Sequence, residues 1–396
     1  GDSTNDQNPT FSGNAEAGAV VIISSDNNGV ITELGRVTAD NNGVWAYTPT
    51  LTDGDYSITT TVVDKAGNTS GPSAAFELTV DTIKPVKVTT IVVADDVLPV
   101  TTNVANGGTT NDSTPLISGT AEGNSKVLLF DNGKWVATVT ANNDGDWSYP
   151  ANTPLTVGTP QYTTIVEDAA GNQCEASDPF VIIVDTVAPV APGAIVATDN
   201  VGLYEGTIPV GGLTNDKTPT LSGVVEGNAL VTIYQDGVPV DSIQTGADGK
   251  WSYTTNELAE NQHIFKVTAT DEAGNVSDYS PELVLNIDTQ KPVTMGVVTV
   301  SETLAAGSGP VDAGGYTKDT TPAFSGTAEK GSLVTIYDGT NLLGTTTAST
   351  VDGSWSFTYP AALGQREYVI TATATDAAGN ESVASPPFSF TVDSVA

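Results

Sequence analysis

Apolar and polar residues alternate with a period of two through short runs along the whole chain, the pattern of a strand with one buried face. Counting back in twos from Asp271 gives Ala269, Val267 and Phe265; from Asp376 it gives Ala374, Ala372 and Ile370. A later run repeats the pattern as Phe76, Leu78 and Val80, and again as Phe388, Phe390 and Val392. Trp45, Trp147, Trp251 and Trp355 each have an aromatic residue two positions on, namely Tyr47, Tyr149, Tyr253 and Phe357, on the same strand face. The runs KVLLF (126–130) and LVTIY (230–234 and 333–337) are β-branched or aromatic and end at Asp/Asn-Gly turn signals. No segment carries the 3.6-residue period of an amphipathic helix. None approaches the ~18 apolar residues of a membrane-spanning helix.

These runs recur in a fixed order. TNDQNPTFSG, TNDSTPLISG, TNDKTPTLSG and TKDTTPAFSG carry Asp6, Asp112, Asp216 and Asp319. DKAGN, DAAGN, DEAGN and DAAGN carry Asp64, Asp168, Asp271 and Asp376. VDTIKPV, VDTVAPV, IDTQKPV and a final VDSVA carry Asp81, Asp185, Asp288 and Asp393. With the Gly-x-Trp pattern, these markers return every 102 to 106 residues. That period is a whole domain, far longer than a solenoid repeat. About seven short strands in a hundred residues point to a sandwich. The expectation is an all-β fold: a tandem array of four immunoglobulin-like β-sandwich domains at 1–86, 87–190, 191–293 and 294–396. In each, one strand follows the proline, one carries T-P-x-x-S-G, one holds the Trp, one ends at D-x-A-G-N and the last ends at V-D-T. The first repeat lacks its opening strand. Because the chain opens and closes at repeat boundaries, it is expected to be a piece of a longer protein.

The charge balance narrows the function. Thirteen Lys and Arg face 47 Asp and Glu, a net charge of −34. Nucleic-acid binding rests on basic residues neutralising phosphates, so it is excluded as a role, and anionic membranes are disfavoured for the same reason. The acid excess suits solubility and self-repulsion, or oxygen ligands for a hard cation. One Cys and one His exclude a zinc cluster and a disulfide framework.

The repeated aspartates favour the cation. In a sandwich of this kind the last strand of one repeat runs down to the pole where the next begins. Asp81 is thus expected beside Asp168 and Glu122, Asp185 beside Asp271 and Glu226, and Asp288 beside Asp376 and Glu329. Three carboxylates gathered at each joint would repel one another. Calcium, which takes six to eight oxygens in flexible geometry, would resolve the conflict. The proline after each V-D-T restricts the linker. A second acidic cluster is expected inside repeats: Asp95, Asp96 and Asp112 in the second, and Asp199 with Asp216 in the third. The fourth offers only Glu302 with Asp319, and no cation is expected there. Asp and Asn beside Gly also make turns without any metal, and DGKW is read as that alone.

Other residues carry no chemistry. His263 occupies a strand slot held elsewhere by Tyr56 and Tyr368, and Cys174 stands where other repeats have Ser70, Ser277 and Ser382. Asn68, Asn275 and Asn380 each open an N-x-S sequence, yet they repeat one turn motif. There is no Ser/His/Asp set, phosphate-binding loop or metalloprotease helix. Enzyme activity is not expected. Trp135, the one Trp outside the repeated slot, is read as an edge-strand aromatic covering the sheet, with a sugar-stacking face as the alternative.

Together, T-N-D-x-T-P-x-x-S-G-x-A-E, D-G-x-W-S-Y, D-x-A-G-N and V-D-T-x-x-P resemble the bacterial immunoglobulin-like repeats of giant, type I-secreted surface adhesins. The non-fimbrial adhesin of Salmonella and the biofilm-associated proteins are of this kind. The resemblance covers essentially the whole chain. It implies a Gram-negative cell surface, tens of such repeats in a row, calcium at and near the joints, and adhesion to host cells or biofilm matrix in virulence. Glycan binding belongs to some members. A monomer is expected, whose closest partners are its own neighbouring repeats, with host-cell glycans or receptors as the alternative.

Overall fold

Alternation along the sequence becomes strand pairing. The computed structural model describes residues 2–27, 29–98, 101–304 and 309–395. Ala396, the end of the fourth V-D-S-V-A, lies outside them. Every regular element among the described residues is a β-strand. The chain divides into two compact units: Gly1–Val187 with Glu272–Asn275, and Ala188–Asp271 with Val276–Ala396. In unit one, the first repeat has two adjoining core clusters between Phe11 and Val80, and the second has its own core between Val88 and Val184. Unit two holds separate cores between Ile195 and Ile287 and between Met295 and Val392. Each core is confined to one repeat, as a tandem array requires.

The third repeat shows the architecture. One sheet orders Gly206–Ile208, Val196–Asp199, Thr220–Val224 and Lys250–Thr254. The facing sheet orders Leu213–Thr214, Leu283–Ile287, Asn261–Thr270, Leu230–Gln235 and Val238–Gln244. Between them lie the side chains that the period of two selects: Phe265, Val267 and Ala269 are fully buried. Burying a side chain of the Phe or Val kind stabilises by roughly 1.5–3 kcal/mol.

The register explains why T-P-x-x-S-G and Gly-x-Trp travel together. Gly223 lies directly across from Trp251, and a Cβ there would come within 2.9 Å of the indole Nε1. Gly13, Gly119 and Gly326 stand opposite Trp45, Trp147 and Trp355 in the same way. Only glycine lets the indole lie flat across the partner strand.

The first repeat differs from the other three. Among the described residues its Phe11–Asn14 strand pairs only with Val44–Tyr47, whereas the equivalent strand of the other repeats also pairs with a strand that follows the proline. Phe76 is therefore 49% exposed, while its counterpart Phe388 is 7% exposed.

One pairing sets the position of the acidic motifs. A short strand before each T-N-D or T-K-D aspartate runs parallel to the last strand of its repeat: Thr4 faces Val80, Thr110 faces Val184, Thr214 faces Ile287, and Thr317 faces Val392. The T-N-D and V-D-T aspartates thus end at the same pole, two residues and one residue beyond adjacent strands.

Candidate functional site

Each D-x-A-G-N segment folds into the same turn. In unit one, Asp168 Oδ1 accepts from the Ala170 and Asn172 N–H groups, both at 2.9 Å. Its Oδ2 accepts from Asn172 Nδ2 at 2.8 Å. That same Nδ2 also donates to the backbone carbonyl of Asp81 at 2.8 Å. Unit two repeats the arrangement. Asp376 Oδ1 accepts from Ala378 and Asn380 N–H, and Oδ2 from Asn380 Nδ2, all at 2.9 Å. Asn380 Nδ2 donates in turn to the Asp288 carbonyl at 2.9 Å. Both turns are buried. The turn of one repeat thus grips the last strand of the repeat before it. Within unit one, Asn275 Nδ2 likewise donates to the Asp185 carbonyl at 2.8 Å.

The first repeat serves as a control. Asp64 makes the same turn with Ala66 and Asn68, but Asn68 is exposed and its amide meets no second oxygen among the described residues. The Asn68 side-chain amide, with the backbone N–H groups, holds the Asp64 carboxyl below the ordinary range. The turn forms locally, and the grip on a neighbour is added to it.

The V-D-T aspartates brace the linker. Asp81, Asp185 and Asp288 accept through Oδ1 from the N–H two residues on, at 2.9, 3.0 and 3.0 Å. Their own N–H groups donate to Thr4, Thr110 and Thr214, fixing them to the parallel strand. The prolines that follow, Pro85, Pro189 and Pro292, are buried.

Among the described residues, no three His, Cys, Asp or Glu side chains converge as a set that could hold a metal ion. Asp168 and Asp376 turn their carboxylates onto their own loops. Glu122, Glu226 and Glu329 are exposed, and their backbone carbonyls, not their side chains, are used: Glu122 and Glu329 accept from Ser125 and Ser332, and Glu226 from Thr245. Asp271 is half-buried and belongs to unit two, as does Glu226. What the joints gather is a mixed oxygen set of aspartate carboxylates, asparagine amides and backbone carbonyls.

The second cluster is tighter than sequence suggested. Asp95 and Asp112 are 7% and 1% exposed, and the Thr110 hydroxyl links them. It donates to Asp95 Oδ2 at 2.6 Å and accepts from the Asp112 N–H at 3.0 Å. Asp112 Oδ1 accepts from the Thr114 N–H at 2.7 Å. Asp112 Oδ2 and Asn111 Oδ1 are buried with no hydrogen-bond partner. Asp96 is exposed and lies outside this pair.

The third repeat has Asp199, Thr214 and Asp216 in the same places, with the Thr214 hydroxyl bonded to Asp199. There the Asn200 N–H reaches Asp216 Oδ2 at 3.2 Å, while Asn215 Oδ1 stays without a partner. In the fourth, the Thr303 N–H and hydroxyl both bond Asp319 Oδ2. Burial pushes the Asp319 pKa up, but the N–H groups of Thr303 and Thr321 and the two hydroxyls outweigh it and hold the carboxyl below its ordinary value.

A buried carboxylate oxygen with no partner costs about 1–3 kcal/mol or more. A hard cation is the chemical group that suits it. The donor chemistry of the second repeat, with two buried carboxylates and an orphaned amide oxygen, fits calcium. In the fourth repeat Thr303 satisfies the equivalent oxygen instead.

The cluster also belongs to the joint, which the sequence reading kept apart. In unit two, the Asn215 N–H donates to the Ala378 carbonyl at 3.2 Å, so one A-A-G-N loop touches both the T-N-D and the V-D-T motifs of the preceding repeat. In unit one, the Asn111 N–H meets the Ala273 carbonyl at 3.0 Å. The asparagines of A-G-N are the residues that sequence reasoning missed.

The residues judged bland are structural. Cys174 Sγ accepts from the Val166 N–H as Ser70, Ser277 and Ser382 accept through Oγ in their repeats. His263 is buried between Asp236 and the Ala259 carbonyl. No helix among the described residues is long and apolar enough to cross a membrane.

The bacterial Ig-like domain family matches residues 2–82, 88–186, 205–289 and 294–394. A tetra-tandem repeat from the extending region of a large adhesion protein is 23% identical, covering 99% of this chain and 98% of that one, with a TM-score of 0.32. A biofilm-associated protein BSP domain is 12% identical over 100% of this chain and 96% of that one, with a TM-score of 0.19. Fibronectin(III)-like modules of CbhA from Clostridium thermocellum are 16% identical over 50% of this chain and 94% of that one, with a TM-score of 0.33. No curated relative matches at a significant level.

Proposed function

Belonging to the bacterial Ig-like domain family through all four of its repeats, this chain is, we propose, an extension segment of a cell-surface adhesin whose joints are stiffened by calcium. The observation that carries the reading is the recurring grip of Asn172 on Asp81 and of Asn380 on Asp288. An array of independent domains needs no such contact. A spacer that must hold its modules in register does. Repetition of the same grip at equivalent positions makes it part of the repeat design, unlike a catalytic pair, which would stand once.

Calcium is the proposed partner of the oxygens that the joints leave poorly served. In the second repeat Asp95, Asp112 and the Asn111 amide would hold it, with Asp199, Asp216 and Asn215 in the third. The V-D-T aspartates supply further oxygens at the same pole. The ion would neutralise buried negative charge and tie the T-N-D corner to the loop of the following repeat. The net charge of −34 keeps neighbouring copies apart while raising local cation concentration. An extracellular location, type I secretion and a role in host or biofilm attachment follow from this reading.

Calorimetric titration of calcium into the chelator-treated chain is the test. Uptake with dissociation constants of about 10⁻⁴–10⁻³ M, the range of extracellular modules, is expected. No heat at millimolar calcium, with no change in melting temperature, would overturn the calcium part of the proposal.

A further inference from the structure

We propose that the first repeat is a strand acceptor: the open side of its sandwich, between Phe11–Asn14 and Phe76–Val80, binds an extended segment with β-branched residues at alternate positions. The inference stands apart from the calcium reading, because the groove needs no ion.

The groove has a volume of about 530 Å³, within the range of ligand pockets. Phe11, Trp45, Ile58, Ala74, Phe76 and Leu78 supply its apolar lining. The Phe11 and Phe76 rings meet edge to face, with centroids 6.4 Å apart and planes at 75°. One wall is the edge of the Phe11–Asn14 strand, which on that side pairs with no other strand among the described residues. An open edge of this kind is a template for another strand, and this one carries none of the charged side chains that usually guard an edge.

The other three repeats show what such a groove takes. Their Ile91–Ala94, Val196–Asp199 and Thr299–Ser301 strands run antiparallel to the counterparts of Phe11–Asn14. Val93, Ala197 and Val300 stand directly across from Ile117, Leu221 and Phe324, the residues equivalent to Phe11. Two positions earlier, Ile91, Ile195 and Val298 enter the same cores. Under that cover Ile117, Leu221 and Phe324 are fully buried, whereas Phe11 is half-buried. Leu283 is 2% exposed where Phe76 is 49% exposed. The first repeat keeps the whole receiving surface: the apolar floor, the indole of Trp45 lying flat against Gly13, and the unpaired edge.

The chemistry selects the occupant. Strand addition takes its affinity from main-chain hydrogen bonds and its specificity from pockets for alternate side chains. Here the two positions facing Phe11 and Gly13 call for Val, Ile or Ala, as the equivalent pairs in the other repeats have. A second copy of this chain is not the occupant. Its own strands of this kind are already paired inside their repeats, and a net charge of −34 on each copy opposes their approach. The partner is a separate extended segment patterned like T-I-V-V-A.

A fluorescent peptide with the sequence of residues 87–95, KVTTIVVAD, tests the proposal on the full chain. Anisotropy should show saturable binding, equal in calcium and in chelator, and hydrogen exchange should slow at the amides of Phe11–Asn14. The same peptide with Ile91→Asp and Val93→Asp should bind at least ~10-fold more weakly, a 1.4 kcal/mol loss. A Phe76→Asp chain should lose as much affinity for the unaltered peptide and keep its melting temperature, because that side chain is half exposed. Absence of saturable binding, equal binding of the Asp-substituted peptide, or protection at Leu116–Thr120 in place of Phe11–Asn14 would each overturn it. So would a concentration-dependent dimer of the free chain with the same amides protected, which would make a second copy the occupant.

Discussion

The side-chain amide of Asn380 donates a 2.9 Å hydrogen bond to the backbone carbonyl of Asp288, 92 residues earlier in the chain. The same amide bonds Asp376 Oδ2 of its own turn, so one side chain both closes a loop and reads the end of another strand. Because it reads a carbonyl, its partner can be any residue that the parallel strand holds in position. The aspartate side chain of V-D-T is left to brace the linker through the N–H of Gln290.

Replacing Asn380 by Ala should therefore cost more than a turn residue does. The change leaves Asp376 Oδ2 and the Asp288 carbonyl short of a donor in a buried site, a loss of about 1–3 kcal/mol. Hydrogen exchange should speed up in peptides around both Asp288 and Asp376. Asn68→Ala, at the exposed turn of the first repeat, should cost about 1 kcal/mol or less and should change exchange only locally.

Asp112 predicts a sign change. In chelator, Asp112→Asn removes a buried negative charge that has no partner on Oδ2, and the second repeat should melt at an unchanged or higher temperature. In calcium the same variant loses a ligand and should melt lower than the parent. Calorimetric melting in the two buffers reads both signs from one protein.

The fourth repeat should show a pH dependence of its own. The Asp319 carboxyl is held below its ordinary pKa, so the folded state stays ionised where the unfolded chain takes up a proton. Its contribution is complete above about pH 4, the ordinary aspartate value, and is lost as pH falls through the lower native value. Hydrogen exchange of peptides covering Phe324 and Phe390 between pH 5 and pH 3, corrected for intrinsic rates, should show this loss. Asp319→Asn should flatten it.

The sandwich was legible in the sequence because it is written in a local code. Phe265, Val267 and Ala269 declare one buried face by position alone, and the pairing of Gly223 with Trp251 lies within two motifs that keep their spacing. The joint was legible only in part. Asp168 beside Ala-Ala-Gly-Asn reads equally as a turn residue or a ligand, and the turn claims its carboxylate. Asn172 was passed over because an asparagine after glycine is an ordinary loop residue. Its second bond, to Asp81, exists only once two repeats stand end to end. The short strand before Asp112 was missed for a similar reason: two residues, Thr109 and Thr110, are too few to show a period. Their parallel pairing with Ile183 and Val184 moves the T-N-D corner to the joint.

Small-angle scattering of the intact chain with and without chelator reads the stiffness of the joints. Calcium-stiffened joints should give a larger and better-defined maximum dimension in millimolar calcium, falling when chelator is added, and a smaller response in an Asp288→Ala variant. Scattering curves that superimpose in the two buffers would contradict it.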